Sequence, residues 1–467
     1  MKFVKKSYII GRPILKKLNN IKRILIANRG EIAIRAIRAI RELGGESIAV
    51  YSEADKDSMH VKLADYSICI GKAPSDKSYL HIPSILSAIE ISYADAVYPG
   101  YGFLAENPNF ASILEKSNIK FIGPKSETIR LTGDKAAARK AAEEANVPII
   151  PGSPPIETLK EALEIADEIG YPVLLKAAAG GGGRGMRVAH SPQELSRLLP
   201  VAQREAETNF GDSRVYIEKF IQNPKHIEIQ ILADEQGNVV YIGDRECSIQ
   251  RRHQKLLEES PSPFITDRVR KEMGEAAVRF AKHVDFTGAG TVEFIVDKDM
   301  NFYFIEMNGR IQVEHPVSEM TSGIDLVAWQ LLIADGQKLD FNQKDIKNTG
   351  HAIEFRINAE DPETFTPNPG KIEDLYLPGG FGVRVDTHIY RGYTVPPYYD
   401  SLIAKLIVYG KNREEAVIRG KRALTELIIG GIKTTKDFHL RILEDEDFLS
   451  GKYTTSLVDN KYLGIRE

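Results

Sequence analysis

Residues 290–317 read GTVEFIVDKDMNFYFIEMNGRIQVEHPV. Thr291–Val296 is rich in β-branched and aromatic residues, Asp297–Asn301 is polar, and Phe302–Ile305 is strand-like again, which predicts a β-hairpin. A hairpin symmetric about the Asp299–Met300 bond places Glu293 opposite Glu306, with Cβ atoms about 5 Å apart and both side chains on one face. Two facing carboxylates repel, and they persist most easily with a divalent cation between them. Hard oxygen ligands suit Mg²⁺, which also binds substrate phosphates. If the chain stays extended, the same face continues through Asn308, Arg310, Gln312 and Glu314, while Ile305, Met307, Ile311 and Val313 point the other way. A purely structural strand would carry solvated charges on that face. A series of acid, amide, guanidinium, amide and acid predicts a site.

The rest of the composition bounds the answer. A chain of 467 residues holds about two to four domains. A formal charge of −3 points to neither nucleic acid nor membrane. Cys69 and Cys247 are too few for a disulfide framework or a zinc site, and a reducing cytoplasm fits them best. No apolar run approaches the ~20 residues of a membrane span. Residues 1–20, MKFVKKSYIIGRPILKKLNN, hold six Lys/Arg and no acid. They read as a basic N-terminal extension, with an organellar presequence as the alternative.

Outward from the hairpin, strand Ile21–Ala27, helix Glu31–Leu43 and strand Ser47–Tyr51 form a βαβ unit. With helix Ile82–Ile91 and strands Ala96–Tyr98 and Phe121–Ile122, residues 21–133 read as a Rossmann-like α/β domain. Gly100-Tyr101-Gly102-Phe103-Leu104-Ala105 matches G-x-G-x-x-A, but it lies far from the first strand and is read as a turn or a close backbone approach. Residues 134–345 form the next domain, with a lid over about 148–222. The lid carries helix Glu161–Ile169, strand Pro172–Lys176 and the run Gly180–Gly183, whose free N–H groups suit anionic oxygens. No GK[ST] occurs, so this is not a Walker A loop. His226–Leu232 alternates as a half-buried strand does. Ser248–Glu259 is unusually cationic, with Arg251, Arg252, His253 and Lys255. Arg268–Val284 and Asp325–Ala334 are helices. Asp340–Thr349 is a polar boundary, and residues 350–460 are β-rich, opening with His351–Asn358 and closing with helix Arg413–Leu427. No internal duplication is visible.

The strings IANRGEIAIR, PGYGFLAEN, FIGPKSETIRLTGDK, YPVLLKAAAGGGGRGMRV, EKFIQNPKHIEIQ, SIQRRHQKLLEESP, EMNGRIQVEHPVSEM, EFRINAEDP and PPYYDS together resemble biotin carboxylase, an ATP-grasp enzyme, from about Ile21 to the C-terminus. The resemblance implies a mixed α/β and α+β fold: an ATP-grasp fold preceded by a Rossmann-like domain and followed by a β-rich C-terminal domain. It places Lys135 and Lys176 at nucleotide phosphates, under a loop containing Gly181, Gly182 and Gly183, with Met186 nearby. Glu218, Lys219 and Ile221 line the adenine pocket. His226, Gln250 and His253 lie along ribose and phosphates, and Lys255 lies by the γ-phosphate. Glu293, Glu306 and Asn308 match magnesium (or manganese) ligands. Arg310, Gln312, Val313 and Glu314 match the bicarbonate site, with Glu314 as general base. Arg356 matches the stabiliser of the carboxyphosphate and biotin oxyanions, and Tyr101 packs on biotin. One departure is Gly309, where the family commonly has threonine or proline. Residue 309 points away from the ligand face in the extended register, so both metal and bicarbonate binding are expected to survive.

The implied reaction is ATP- and bicarbonate-dependent carboxylation of biotin. The chain holds no Met-Lys-Met motif, so biotin is expected on a separate biotin carboxyl carrier protein, with a carboxyltransferase as a further partner. Acetyl-CoA carboxylase, hence fatty acid biosynthesis, is the first reading of the complex. Split pyruvate, 2-oxoglutarate or propionyl-CoA carboxylases are alternatives. A homodimer is expected, with Arg35, Arg38 and Phe381 where the family's contacts fall. Carbamoyl phosphate synthetase also activates bicarbonate, but its synthetase region is duplicated. A nucleotide-binding protein without turnover is the remaining alternative, and the intact Lys, Glu and Arg set argues against it.

Overall fold

The computed structural model describes residues 16–156, 158–177, 187–210 and 213–464. The chain divides into two compact units: Met1–Val147 with Lys225–Phe294 and Ile305–Glu467, and Pro148–Pro224 with Ile295–Phe304.

The first unit opens with five parallel strands, β1 (Arg23–Ile26), β2 (Glu46–Ser52), β3 (Tyr66–Gly71), β4 (Ala96–Tyr98) and β5 (Lys120–Phe121), in spatial order β3-β2-β1-β4-β5. The expected βαβ unit is present, with helix Gly30–Glu42 joining β1 to β2. Ile32, Ala36 and Ile40 of this helix are buried against Ile24 and Ile26. The same core takes in helix Leu326–Ala334, whose nine residues are all buried, as an all-round apolar sequence requires. Gly100 and Gly102 have φ of +63° and +70°, and Asn28 Nδ2 donates to the carbonyls of Pro99 and Tyr101, both at 2.7 Å. The paired glycines therefore serve a left-handed turn pinned by Asn28.

In the second unit β6 (Val173–Ala177), β7 (Arg187–Ala189) and β8 (Val215–Lys219) form an antiparallel sheet in order β7-β6-β8. Val173, Leu175, Val215 and Ile217 pack there against helices Leu159–Ile169 and Pro192–Phe210 through Ala162, Ala166, Leu195 and Leu199. The predicted phosphate loop, Gly181, Gly182 and Gly183 with Met186, lies outside the described residues, as do residues 1–15 of the N-terminal extension.

The site is carried by an eight-stranded sheet, and Glu293, Glu306 and Asn308 on β12 and β13 belong to the first unit. β9 (Lys225–Ala233), β10 (Val239–Arg251), β11 (Gln254–Ser260), β12 (Gly288–Val296), β13 (Phe302–Asn308) and β14 (His351–Asn358) join strands Leu402–Gly410 and Val383–Thr387, in order β13-β12-β9-β10-β11-β14-(402–410)-(383–387). The polar link 340–349 thus connects strands of one continuous sheet, because β11 pairs with β14. β9 also differs from a half-wet strand: Glu228 and Gln230 are as fully buried as Ile227 and Ile229. Among the described residues no helix is long and apolar enough to cross a membrane.

Two local expectations are corrected. The Asp297–Asn301 turn is not symmetric about the Asp299–Met300 bond. Asp297 N–H donates to Asn301 O (2.9 Å), Met300 N–H donates to Asp297 O (3.1 Å), and Met300 takes φ +65°. The Asp297 carboxylate organises this turn by accepting from the Asp299 and Asn301 N–H groups at 2.8 and 2.9 Å. Extended structure also stops at Asn308 instead of running to Glu314. The chain bends at Gly309-Arg310 and turns at Val313-Glu314 into helix His315–Ser322. Pro316 near the start of that helix lacks an N–H, which the first turn does not need.

Candidate active site

Lys255 on β11 lies cross-strand from Gln250 on β10. Its ammonium is the hub of a buried ion network. Nζ donates to Glu228 Oε2 at 2.7 Å, Glu314 Oε1 at 2.8 Å and Glu293 Oε1 at 3.0 Å. Burial disfavours the ammonium, but these three carboxylates outweigh it and hold its pKa well above the usual lysine value. Burial equally opposes charge on Glu293 and Glu314. Lys255, with His226 beside Glu293 and Arg356 and Arg245 beside Glu314, still holds both carboxyls far below the ordinary range.

Arg356 on β14 reaches the same carboxylate from the other side. Its Nη2 donates to Glu314 Oε2 at 2.9 Å and its Nε to Glu258 Oε1 at 2.6 Å. Glu314 therefore sits between an ammonium and a guanidinium, 2 % exposed. Gln312 donates to Glu293 Oε1 at 2.7 Å and accepts from Arg245 Nη2 at 2.8 Å. So the bend at Gly309-Arg310 does not remove Gln312 and Glu314 from the site; the turn into the helix brings them back.

Two of the three proposed metal ligands, Asn308 and Glu293, touch. Asn308 Nδ2 donates to Glu293 Oε1 at 2.9 Å, and His226 Nε2 stands 2.9 Å from Glu293 Oε2. Burial first, then the Glu293 charge, pushes the Glu306 carboxyl up. Lys135, first residue of helix Lys135–Glu144, points its exposed ammonium at Glu306 from 3.8 Å. Arg310 donates from Nη2 to Asn308 Oδ1 (2.8 Å) and from Nε to Glu106 (2.9 Å). Gln250 is buried, while Arg252 and His253, both left-handed at φ +47° and +67°, form the exposed tip of the β10–β11 hairpin.

A cleft of about 410 Å³ opens beside this network, lined by Tyr101, Val313, Arg356, Asn358, Arg29 and Tyr399 among others. Val313, expected on the opposite face, lines it because the chain has already left the extended register. Tyr101 OH donates to Glu31, which also pairs with Lys405 at 3.0 Å. Lys405 in turn donates to Val313 O at 2.9 Å.

In the second unit Lys176 on β6 pairs with Glu218 on β8. Lys219 turns its ammonium to the carbonyls of Gly170 (2.8 Å) and Tyr171 (3.2 Å), and Ile221 is half-buried.

Sequence reasoning missed Arg245, Glu228 and Glu258. Arg245 is fully buried and donates to Glu228, Gln230 Oε1 (2.6 Å), Ser318 Oγ (3.0 Å), Thr291 Oγ1 (3.0 Å) and Gln312 Oε1 (2.8 Å). Glu228 stood at an alternate position of HIEIQ, where a polar residue reads as facing water. Only the burial of both sheet faces makes it a partner.

Comparison with known proteins matches residues 20–129 to the biotin carboxylase N-terminal domain, 134–342 to the ATP-binding domain of the carbamoyl-phosphate synthase L chain, and 354–460 to the biotin carboxylase C-terminal domain. Biotin carboxylase 1 of Bacillus subtilis is 54% identical, over 94% of this chain and 98% of its own length. A pyruvate carboxylase subunit from Methanothermobacter thermautotrophicus is 53% identical, over 95% of this chain and 90% of its own. The biotin carboxylase domain dimer of Hydrogenobacter thermophilus 2-oxoglutarate carboxylase, solved with MgADP, ADP and bicarbonate, superposes with a TM-score of 0.86 at 49% identity, covering 96% of this chain and 99% of that one.

Proposed function

The chain belongs to the biotin carboxylase family, and on that premise we propose that it couples cleavage of ATP to carboxylation of biotin by bicarbonate. One observation carries the assignment of roles: Glu314 is buried and shared between Lys255 and Arg356, whose charges outweigh burial and hold its carboxyl well below the usual range.

The reaction brings two anions together. Lys255 and Arg310 offset their charge, with Lys135, His226, Gln250 and His253 toward the phosphates and ribose. Lys176, Glu218, Lys219 and Ile221 are assigned to the nucleotide as well. Gln312 and Val313 hold bicarbonate. A bicarbonate oxygen bonds to the γ-phosphorus, the bond from that phosphorus to the bridging β–γ oxygen breaks, and Glu314 accepts the bicarbonate proton. Carboxyphosphate then separates into CO₂ and phosphate. That phosphate takes the N1′ proton of biotin, whose nitrogen bonds to CO₂. Arg356 steadies the ureido oxyanion from the wall of the cleft, where Tyr101 packs on the ring.

Glu293, Glu306 and Asn308 suit a hard divalent cation. Burial first, then the charge of Glu293, pushes the Glu306 carboxyl up, and among the described residues the ammonium set against Glu306 is the exposed Lys135, 3.8 Å away. Magnesium bound there supplies charge neutralisation at the ATP phosphates.

The relatives that this chain matches nearly end to end, a biotin carboxylase and a pyruvate carboxylase subunit, support biotin entering on a separate carrier protein, with a carboxyltransferase receiving the carboxyl group. Acetyl-CoA carboxylase remains the first reading of the complex. The pyruvate and 2-oxoglutarate carboxylase relatives support those keto acids as the second. The homodimer stays a proposal as well: Phe381 is 85% exposed, whereas Arg35 is spent on Glu319 and Asp325. ADP release with free biotin, with and without bicarbonate, tests the reaction. Release that ignores bicarbonate would remove it.

A further inference from the structure

Glu258 and Glu354 oppose one another directly across the β11–β14 ladder. Both are fully buried. Cross-strand Cβ atoms lie about 5 Å apart, and two buried carboxylates at that spacing do not both ionise cheaply. The nearby cations are unevenly shared. Arg356, two residues along β14 from Glu354, gives its Nε to Glu258 and its Nη2 to Glu314. Lys405, cross-strand from Arg356, gives its ammonium to Glu31 and the Val313 carbonyl. Glu354 keeps neither: both its oxygens are buried without a hydrogen-bond partner among the described residues, as is Glu258 Oε2.

We propose that Glu258 positions Arg356 for biotin, and that Glu354 keeps its proton so that Glu258 can stay charged and hold the guanidinium. The proposal rests on the role given to Arg356 above. The charged groups facing Glu354 agree with it, and those facing Glu258 set the pH below which its hold on the guanidinium is lost. Around Glu354, burial, opposed by Lys405 and Arg356 but reinforced by Glu258 and Glu314, pushes the carboxyl well above its usual range. Around Glu258, burial and the Glu314 charge raise the carboxyl to about 7 even though Arg356 and Lys255 oppose the rise.

The arrangement gives Arg356 two anchors of different permanence. When Glu314 takes the bicarbonate proton its charge is lost, and the hold on Nη2 weakens. Glu258 keeps Nε fixed. Glu258 Oε1, which also stands 2.5 Å from Nη2, then holds the guanidinium alone at the step in which a ureido oxyanion forms.

The test is Glu258→Gln in the full chain with free biotin. Biotin-dependent carboxylation and bicarbonate-dependent ATP cleavage are measured on one preparation, so that any unfolded fraction cancels in their ratio. The expected result is a fall of about tenfold or more in kcat/KM for biotin, with ATP cleavage within about threefold. Equal falls in both, or no fall in either, overturn the proposal. Arg356→Lys is assayed alongside. If that variant carboxylates biotin normally, the role of Arg356 fails. If it is impaired while Glu258→Gln is not, that role stands and only the positioning proposal falls. The pH profile tests Glu354. In the parent the ratio falls on acidification with a midpoint near the Glu258 value of about 7. Glu354→Gln, which fixes the neutral state, is expected to leave that limb within about half a pH unit. A downward shift of about one unit or more shows a charged Glu354 and overturns its part.

Discussion

Lys255 Nζ stands 2.8 Å from Glu314 Oε1, and the two residues belong to segments 59 positions apart in the chain. The contact holds the carboxylate ionised inside the protein and holds the ammonium where a γ-phosphate is proposed to arrive. Glu314 is thus ready to accept a proton without first losing one.

Glu314→Gln keeps the shape and removes the acceptor. Bicarbonate-stimulated ATP cleavage is expected to fall by about 100-fold or more, the usual scale of a general base, while ATP affinity measured by equilibrium binding changes little. A near-normal rate would remove Glu314 as the base.

Arg356→Lys keeps the charge and loses the planar fork that spans Glu258 and Glu314. Biotin carboxylation is expected to fall far more than bicarbonate-dependent ATP cleavage. Comparable losses would show that Arg356 serves the first step.

Gly309 departs from the family pattern without needing to be glycine. Its φ is not positive, and an added Cβ would meet Pro124 Cγ at 3.4 Å, Thr132 Oγ1 at 3.7 Å and Phe286 Cε2 at 3.9 Å, all ordinary contacts. Gly309→Thr should leave kcat within about fivefold and stability within about 1 kcal/mol. Inactivation would mean that Arg310 relies on a backbone freedom threonine denies it.

Arg245→Met removes the guanidinium that donates to Glu228 and Gln312 in a fully buried setting. Losing one member of a buried ion network costs about 3–5 kcal/mol. Denaturant unfolding should register a loss of that order. A loss below about 1 kcal/mol would mean that Lys255 alone satisfies Glu228.

Four of the buried histidines contribute to the acid response. Burial first pushes His60 and His439 down to about 4, and His315 and His388 to about 3, from 6.5. Between 6.5 and those folded values the unfolded chain binds more protons, so stability falls as pH is lowered through that window. Glu258, raised to about 7 from 4.5, acts in the opposite sense over the same range, because the folded state then holds the extra proton. His60→Gln isolates one histidine: the slope of unfolding free energy between pH 5 and 6.5 should flatten by about 1 kcal/mol per unit. An unchanged slope would mean that His60 is charged in the fold.

The acids and amides around Glu293 were legible because strand periodicity and polar identity coincide over Glu293, Glu306 and Asn308. Arg310, Gln312 and Glu314 were legible as residues but not as geometry. Strand periodicity places them on an extended strand, whereas the chain bends at Gly309-Arg310 and a turn at Val313-Glu314 returns them. The turn at Met300 was misjudged for a similar reason: the Asp297 side chain, not strand symmetry, selects its length.

The sequence alone determined the βαβ opening, the strand–turn–strand that carries the acids, and the family. Those follow from local periodicity and from residue strings that a single chain displays. Which polar residues face water is not a local property. Glu228, Arg245, Glu258 and Glu354 occupy strand positions that alternation assigns to solvent, and only the burial of both faces of the eight-stranded sheet turns them into partners. Inside the protein an unpaired charge costs several kcal/mol, so the tertiary pairing of these groups decides their protonation and with it which of them do chemistry.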